Sequence, residues 1–267
     1  GYPVSIYTRS KEKAENLKDR ATVCDSIVEA VKDADVVITM VGYPKDVASI
    51  YAGVGGVFEN AKPGVLCIDM TTSSPTLAAQ LSELAKFKGL RMLDAPVSGG
   101  DIGAKNATLS IMVGGDQKDF EQANEFFAYM GKSITYIGKA GAGQHCKMAN
   151  QIVVAGNIAA ITESMHYAFN AGIDPEIVLQ AISGGAAGSW QVSNNGPKIL
   201  KQNYDPGFYI HHFIKDLTLV KEEADKAHID LPIAHQVLEL YRQLLEEGYG
   251  QLGTQALIKA YKKNHES

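Results

Sequence analysis

Short apolar runs alternate with amphipathic stretches through the first half of the chain. Apolar runs bounded by turn residues predict strands at residues 4–7, 35–41, 65–69, 109–113 and 134–137. Apolar residues at helical spacing predict helices at residues 11–18, 44–51, 75–88 and 118–130. Pro44 and Pro75 stand in the first turn of two of these helices, where proline is tolerated. This alternation predicts an α/β fold with a doubly wound, largely parallel sheet.

The pattern changes after Gly141. Strand signals nearly vanish, and apolar residues recur at helical spacing over residues 145–171, which predicts one helix of about 27 residues. Further helices are expected at residues 176–183, 210–227, 232–247 and 253–263. The sequence therefore predicts an α/β domain over residues 1–140 and an all-helical domain over residues 141–267, joined by the long helix.

Composition narrows the class of protein. The chain has 267 residues, of which 45% are hydrophobic and 21% charged, as in globular domains. The net charge of -5 and the lack of a basic run argue against nucleic-acid binding. No apolar run reaches the roughly 18 residues that a membrane helix needs. The three widely spaced cysteines, Cys24, Cys67 and Cys146, fit reduced thiols in a cytoplasmic protein, and no metal-ligand spacing is present.

Two segments contain candidate catalytic or ligand-binding residues. Lys147 and Asn150 stand three apart near the start of the long helix, where they share a face and can contact the same small molecule. Gly141 and Gly143 just before them are expected to allow a tight turn and the close approach of a ligand.

The other segment is Asp94-Ala-Pro-Val-Ser-Gly-Gly100, at the end of a strand. Free amides in the loop of Ser98, Gly99 and Gly100 suit a carboxylate. Taken singly, a helix lysine is more often a surface charge and a Ser-Gly-Gly loop only a turn. The two segments in this order indicate an oxidoreductase site.

Together with Ile214-Lys215-Asp216, these segments resemble the β-hydroxyacid dehydrogenases, a family that includes 3-hydroxyisobutyrate dehydrogenase, tartronate semialdehyde reductase and the glyoxylate and succinic semialdehyde reductases. The resemblance runs from about Pro3 to about Ala260. It implies a Rossmann-like nucleotide domain, a nicotinamide cofactor and hydride transfer to or from a small carboxylate substrate. A homodimer or homotetramer is expected, since residues 240–260 carry apolar side chains on more than one helix face.

The resemblance also implies which residues contact the cofactor. Val41 and Gly42 correspond to a main-chain contact, Thr72 to the residue near the nicotinamide, and Lys215 to a lysine that reaches cofactor and substrate. On sequence alone, Lys215 could equally be a helix charge paired with Asp216 or Glu222.

Thr8 and Arg9 end the first predicted strand, where NAD enzymes carry a carboxylate for the ribose 2′-hydroxyl. Arg9 can instead grip a 2′-phosphate, so NADP is the expected cofactor. If Arg9 only stacks on the adenine, NAD serves as well.

The strand, glycine-rich turn and helix that open a dinucleotide-binding unit are not found in this sequence. Its first residues, Gly1-Tyr-Pro-Val-Ser-Ile-Tyr7, correspond to the second strand of such a unit. We therefore expect about 20 to 25 residues to precede them in the functional protein. We also expect the 267-residue chain alone to bind dinucleotide weakly.

The expected mechanism assigns one task to each residue type. Lys147 moves the proton while hydride is transferred, Asn150 holds the substrate hydroxyl or carbonyl, and Ser98 with the two glycine amides holds the carboxylate. His145 is a rival acid or base, but it points about 200° away from Lys147 on a helix. The alternative functions are a 6-phosphogluconate dehydrogenase-like oxidative decarboxylase, whose helical domain is much longer, and a non-catalytic dehydrogenase-like interaction module.

Overall fold

The computed structural model describes residues 1–262, which form two compact units. Unit 1 comprises residues 1–99 and 103–147, and unit 2 comprises residues 100–102 and the chain from residue 148 onward. The division between the two units lies inside the long helix, after Lys147.

The strands belong to unit 1. They are β1 (Ser5–Ile6), β2 (Thr22–Val23), β3 (Val36–Thr39), β4 (Leu66–Asp69), β5 (Arg91–Asp94), β6 (Val97–Ser98), β7 (Leu109–Gly114) and β8 (Gly131–Gly138). The main sheet has the order β3-β4-β5-β7-β6, with β8 also paired to β7, while β1 and β2 form a separate parallel pair.

The sheet is largely parallel, as the sequence predicts, with one antiparallel element. β3, β4 and β5 run parallel, as do β7 and β8, but β7 is antiparallel to both β5 and β6. The physical reason lies in residues 95–108, which hold only β6 and a six-residue helix. A parallel return needs a long crossover that packs across the sheet, whereas a short connection favours an antiparallel neighbour.

Helices of unit 1 connect these strands. They are α1 (Ile27–Val31), α2 (Pro44–Ala52), α3 (Val57–Asn60), α4 (Pro75–Phe87), α5 (Gly100–Lys105), which begins in unit 2, and α6 (Gln117–Phe127), with a 3₁₀ helix at Lys11–Leu17. Ser74 caps α4 by accepting a hydrogen bond from the Leu77 amide, and Asp116 caps α6 in the same way.

Both faces of the central strands are buried, which explains why these strands read as continuous apolar runs. Along β4, Cys67 packs into one apolar cluster, while Leu66 and Ile68 pack into the cluster on the opposite face. At the carboxyl ends of β4 and β5 the buried side chains become polar, namely Asp69 and Asp94. The buried polar side chains of the sheet therefore lie at the carboxyl ends of its parallel strands.

Unit 2 is helical. Its helices are α7 (Ala142–Asn170), which begins in unit 1, α8 (Pro175–Ser183), α9 (Trp190–Asn194), α10 (Gly196–Leu200), α11 (Ile210–Lys226), α12 (Pro232–Glu246) and α13 (Ile258–Lys262), with a 3₁₀ helix at Thr254–Leu257. Ile158, Phe213 and Tyr241 lie in its core. Lys263, the expected end of the last helix, lies outside the described residues. Over residues 1–262, no helix combines the length and the apolar character that spanning a membrane requires.

Candidate active site

A carboxylate from the sheet holds the start of α7. Asp94 is buried at the end of β5; its Oδ1 accepts a hydrogen bond from the Gly141 amide at 2.8 Å and its Oδ2 accepts one from the Gln144 amide at 2.9 Å. Amides in the first turn of a helix have no partner inside the helix, and the helix dipole favours an anion there. Asp94 therefore caps α7 from outside the helix, a role that the sequence did not reveal.

The two glycines before Lys147 serve this packing. Gly141 has a φ of +87°, and a Cβ atom there would lie 2.7 Å from the Pro75 carbonyl oxygen. A Cβ atom at Gly143 would lie 2.5 Å from the Met112 carbonyl oxygen. The atoms that approach these glycines closely in the structure belong to the protein's own backbone.

Lys147 meets the segment that follows Asp94. Its side chain is buried, and Nζ donates a hydrogen bond to the Val97 carbonyl oxygen at 2.7 Å. The two predicted segments, about fifty residues apart in sequence, therefore come together in the fold. Ser98 is half-buried next to Val97, and the chain then turns through Gly99 and Gly100, both exposed, with φ values of +131° and +61°.

His145 lies in different surroundings from Lys147. It is exposed and lines an open groove of about 390 Å³ together with Pro75, Thr76 and Lys139. The separation of the two side chains agrees with the angle expected for residues two apart on a helix.

Gln144 ties α7 to the loop after β4. Its Oε1 accepts a hydrogen bond from the Ser73 amide at 2.9 Å, and its Nε2 donates to the Thr71 carbonyl oxygen at 2.7 Å. Thr72, expected near the nicotinamide, lies between these two contacts and is half-buried. The start of the helix and this loop are therefore fixed to each other.

Gln144, Lys147 and Gln151 form a buried polar stripe on α7, all at most 6% exposed. Their spacing of three and then four residues puts them on one helix face. Polar residues at that spacing within an apolar helix are visible in the sequence, but Gln144 and Gln151 are not among the candidate residues named above.

The Val41 amide is already bonded within the protein. It donates a hydrogen bond to Thr71 Oγ1 at 3.0 Å, and the Thr71 amide in turn donates to Asp69 Oδ1 at 3.1 Å. An expected main-chain contact between Val41 and a ligand cannot therefore use this N–H group. The Val41 carbonyl and the half-buried Gly42 are left for it.

Arg9 lies close to the start of α2. Its guanidinium is 76% exposed, and Nη1 lies 3.4 Å from Asp46 Oδ1. The other oxygen of Asp46 accepts a hydrogen bond from the Tyr43 amide at 3.1 Å, one residue after Gly42. Thr8 is half-buried and its Oγ1 accepts a long hydrogen bond from the Ser10 amide. Hydrogen bonds and this ion pair thus connect the Arg9 region to the segment that contains Val41.

A second polar network lies in unit 2. Asn150 Nδ2 donates to Gln151 Oε1 at 2.7 Å, and Gln151 Nε2 donates to Asp216 Oδ2 at 2.6 Å. Lys215 Nζ lies 2.8 Å from Asp216 Oδ1, and both side chains are largely buried. Of the two pairings that the sequence left open for Lys215, the structure has the one with Asp216. Asn150 and Lys215 are therefore connected through two buried side chains.

Burial changes the acidity of Asp94. It raises the pKa of this carboxyl to about 6, while the hydrogen bonds from Gly141 and Gln144 act in the opposite direction. The negative charge of Asp69 on the neighbouring strand raises the pKa further. Within residues 1–262, His, Cys, Asp and Glu side chains form no group of three or more that could hold a metal ion.

Comparisons with known proteins show which family the chain resembles over its length. Residues 1–138 match the family described as the NAD binding domain of 6-phosphogluconate dehydrogenase, and residues 141–261 match the NAD-binding domain of NADP-dependent 3-hydroxyisobutyrate dehydrogenase. An uncharacterised oxidoreductase of Bacillus subtilis (strain 168) is 49% identical over 98% of this chain and 92% of its own. The 2-hydroxy-3-oxopropionate reductase of Escherichia coli (strain K12) is 36% identical over 97% of this chain and 89% of its own.

A solved structure of the 3-hydroxyisobutyrate dehydrogenase of Mycobacterium tuberculosis with L-serine has a TM-score of 0.89 to this chain. The two sequences are 31% identical, and the alignment covers 98% of this chain and 91% of the solved chain.

Two observations in unit 1 fit a nicotinamide dinucleotide. The Arg9 guanidinium is open to a phosphate, and the buried Ser73 hydroxyl, next to Thr72, has no hydrogen-bond partner among the described residues. A buried hydroxyl without a partner is costly unless a ligand supplies one. From the family matches, the fold and this site, the chain belongs to the β-hydroxyacid dehydrogenase family and is an NAD(P)-dependent oxidoreductase.

Proposed function

We propose that the enzyme interconverts a small β-hydroxyacid and its aldehyde or ketone, with NADP preferred as cofactor and Lys147 as the proton donor. The 2.7 Å hydrogen bond between Lys147 Nζ and the Val97 carbonyl carries this proposal. It holds a buried ammonium beside the loop that begins at Ser98. One small molecule can then place its carboxylate at the loop and its carbonyl oxygen at the ammonium.

The Ser98 hydroxyl and the amides of Gly99 and Gly100 are the proposed partners of the substrate carboxylate. The two glycines are exposed, so a ligand can reach their backbone. A short acid of the 3-hydroxyisobutyrate, tartronate semialdehyde, glyoxylate or succinic semialdehyde type suits so compact a set of donors. The names of the relatives, 3-hydroxyisobutyrate dehydrogenase and 2-hydroxy-3-oxopropionate reductase, support the same class.

In the reductive direction the bound dinucleotide supplies the hydride. Lys147 donates a proton to the carbonyl oxygen as negative charge develops there, so it acts as general acid and stabilises the oxyanion. Asn150, less than one helical turn away, holds the same oxygen in place. The hydrogen bond from Asn150 Nδ2 to Gln151 fixes the orientation of the Asn150 amide before substrate arrives.

The residues proposed to hold the cofactor are those that the resemblance to the family implies. Thr8 and Arg9 would hold the 2′-phosphate, the Val41 carbonyl and the Gly42 backbone would supply the main-chain contact, and Thr72 would contact the nicotinamide side. Lys215, whose Nζ lies 2.8 Å from Asp216 Oδ1, is the further residue proposed to bind cofactor or substrate.

A panel of substrates tests this function. Succinic semialdehyde, tartronate semialdehyde, glyoxylate, 3-hydroxyisobutyrate and 6-phosphogluconate are assayed with NADP(H) and NAD(H) on the full-length enzyme. We expect turnover of at least one small acid, and a kcat/KM at least about 100-fold lower for a matched aldehyde without the carboxylate, such as butanal for succinic semialdehyde. Release of CO₂ from 6-phosphogluconate would support the decarboxylase instead, and no turnover of any compound would support the non-catalytic module.

We also propose a cytoplasmic homodimer or homotetramer. Large apolar side chains of unit 2 that are exposed in the single chain, including Tyr167, Phe169, Trp190 and Ile233, support this assembly. Light scattering after size-exclusion chromatography measures the mass directly, and a monomer at micromolar concentration would contradict the proposal.

A further inference from the structure

We infer that Asp94 is a positioning residue for the reaction: it fixes the first turn of α7 against the sheet and thereby holds the Lys147 ammonium beside Ser98. The inference rests on the proposed role of Lys147 as proton donor. In this proposal Asp94 itself contacts neither substrate nor cofactor.

Two sets of hydrogen bonds join residues 94–97 to the first turns of α7. At one end of residues 94–97, the Asp94 carboxylate accepts hydrogen bonds from Gly141 and Gln144. At the other end, the Val97 carbonyl accepts the hydrogen bond from Lys147. Gln144 and Lys147 are three residues apart, about 4.5 Å along the helix axis. Because the two residues are so close on one helix, any shift of the first turn moves Lys147 Nζ by about the same distance relative to the Ser98 loop.

The carboxylate is confined on two sides. A Cβ atom at Gly143 would lie 2.8 Å from Asp94 Oδ2, and one at Gly114 on β7 would lie 2.6 Å from Oδ1. Glycine at both positions leaves space for a charged oxygen but none for a side chain. Both oxygens are acceptors in this arrangement, so replacing one with an NH₂ group would direct a donor at another donor.

The neighbouring carboxylate provides a contrast. Asp69 is the register partner of Asp94 in the parallel β4–β5 ladder and is equally buried. It accepts hydrogen bonds from Thr39 Oγ1 and from the Thr71 amide, on the side of the proposed cofactor loop. Two adjacent strands thus end in carboxylates that organise different segments, and their variants should affect different kinetic constants.

The test compares Asp94→Asn with Asp69→Asn. For Asp94→Asn we expect kcat to fall about 10- to 100-fold, the scale of a small misplacement of a catalytic group, with the KM for NADPH within about twofold of wild type. For Asp69→Asn we expect mainly a higher KM for NADPH. Leu81→Ala, which removes a buried apolar side chain of unit 1, controls for lost stability and should leave kcat per folded molecule unchanged.

An isotope effect separates misplacement from partial unfolding. With NADPH deuterated at the transferred position, the deuterium effect on kcat should rise in Asp94→Asn, because the chemical step becomes slower than the other steps. A smaller folded fraction lowers the apparent kcat and leaves the isotope effect unchanged. A reduced kcat with an unchanged isotope effect would therefore overturn the inference.

Coupling to Lys147 completes the test. In a Lys147→Ala background, Asp94→Asn should cause no further loss of turnover, because the group that it positions is gone. An equal loss in both backgrounds would show that Asp94 acts independently of Lys147. A fully active Lys147→Ala enzyme would instead reject the proposed function. If Asp94→Asn does not fold, Gly114→Ala, which presses on the carboxylate without removing its charge, should give the same kinetic pattern, and wild-type kinetics in it would overturn the inference.

Discussion

Gly143 lies so close to Asp94 that a Cβ atom on the glycine would stand 2.7 Å from the aspartate carbonyl oxygen and 2.8 Å from Oδ2. We expect Gly143→Ala to lower the free energy of unfolding by about 1 to 3 kcal/mol, because backbone atoms must move apart. Gly156 on the same helix is the matched control, since a Cβ atom there meets nothing within 4 Å. Gly156→Ala should stabilise the protein by roughly 0.5 to 1 kcal/mol.

Urea denaturation of the two glycine variants measures both changes. Equal effects of the two substitutions would show that α7 is not packed against Asp94 as described.

Asp94 should make stability depend on pH. Burial raises its pKa from 3.8 to about 6, so the folded state binds this proton more tightly than the unfolded state. The contribution is fully present below about pH 4 and is lost as pH rises through about 6, a change of about 3 kcal/mol. Asp69 is the charged neighbour on β4, while β7 and the first turn of α7 present Gly114, Gly143 and backbone amides to Asp94.

The measurement is the difference in unfolding free energy between wild type and Asp94→Asn from pH 4 to pH 7. Wild type should lose stability relative to the variant as pH rises. A difference that stays constant over this range would mean that Asp94 does not titrate there.

Arg9 should determine cofactor preference. In Arg9→Asp the 2′-phosphate loses a charged partner and meets a like charge, so the ratio of kcat/KM for NADPH over NADH should fall about 10- to 100-fold. Arg20→Asp, which changes another exposed arginine of unit 1 in the same way, is the matched control and should leave the ratio unchanged. An unchanged ratio in Arg9→Asp would show that this side chain does not contact the phosphate.

The buried pair of Lys215 and Asp216 should be sensitive to the loss of one partner. Asp216→Ala removes the carboxylate that pairs with Lys215 and accepts a hydrogen bond from Gln151, and removal of one member of a buried pair costs about 3 to 5 kcal/mol. On the same helix, the ion pair of Lys221 and Asp225 is solvent-exposed, so Asp225→Ala should change stability little. Thermal unfolding of the two variants tests this, and similar melting temperatures would contradict the described network.

Much of this arrangement could be predicted from local sequence patterns. Alternating apolar runs predict the strands, and a long helical periodicity predicts α7, because burial imposes those periods on the sequence. The contact between Lys147 and the Ser98 segment could also be expected, since both segments carry chemistry and both lie at the edges of elements. The short helices α9 and α10 are not among the predicted helices, because five residues are too few to show a helical period.

The roles of Asp94, Gln144 and Gln151 depend on tertiary contacts. The amides that bind Asp94 come from residues 47 and 50 positions later in the chain. No local pattern indicates that a strand-end carboxylate will cap a distant helix. The antiparallel direction of β7 depends likewise on how residues 95–108 fold, which periodicity does not reveal.

Turnover of the Lys147→Ala enzyme shows whether Lys147 supplies the proton. Lys139→Ala, which removes an exposed lysine eight residues earlier, is the matched control. Measured with NADPH and the best small acid of the panel, Lys147→Ala should lower kcat by about 10²- to 10⁴-fold while the affinity for NADPH and the Lys139→Ala activity stay near wild type. Near-wild-type turnover in Lys147→Ala would contradict the mechanism.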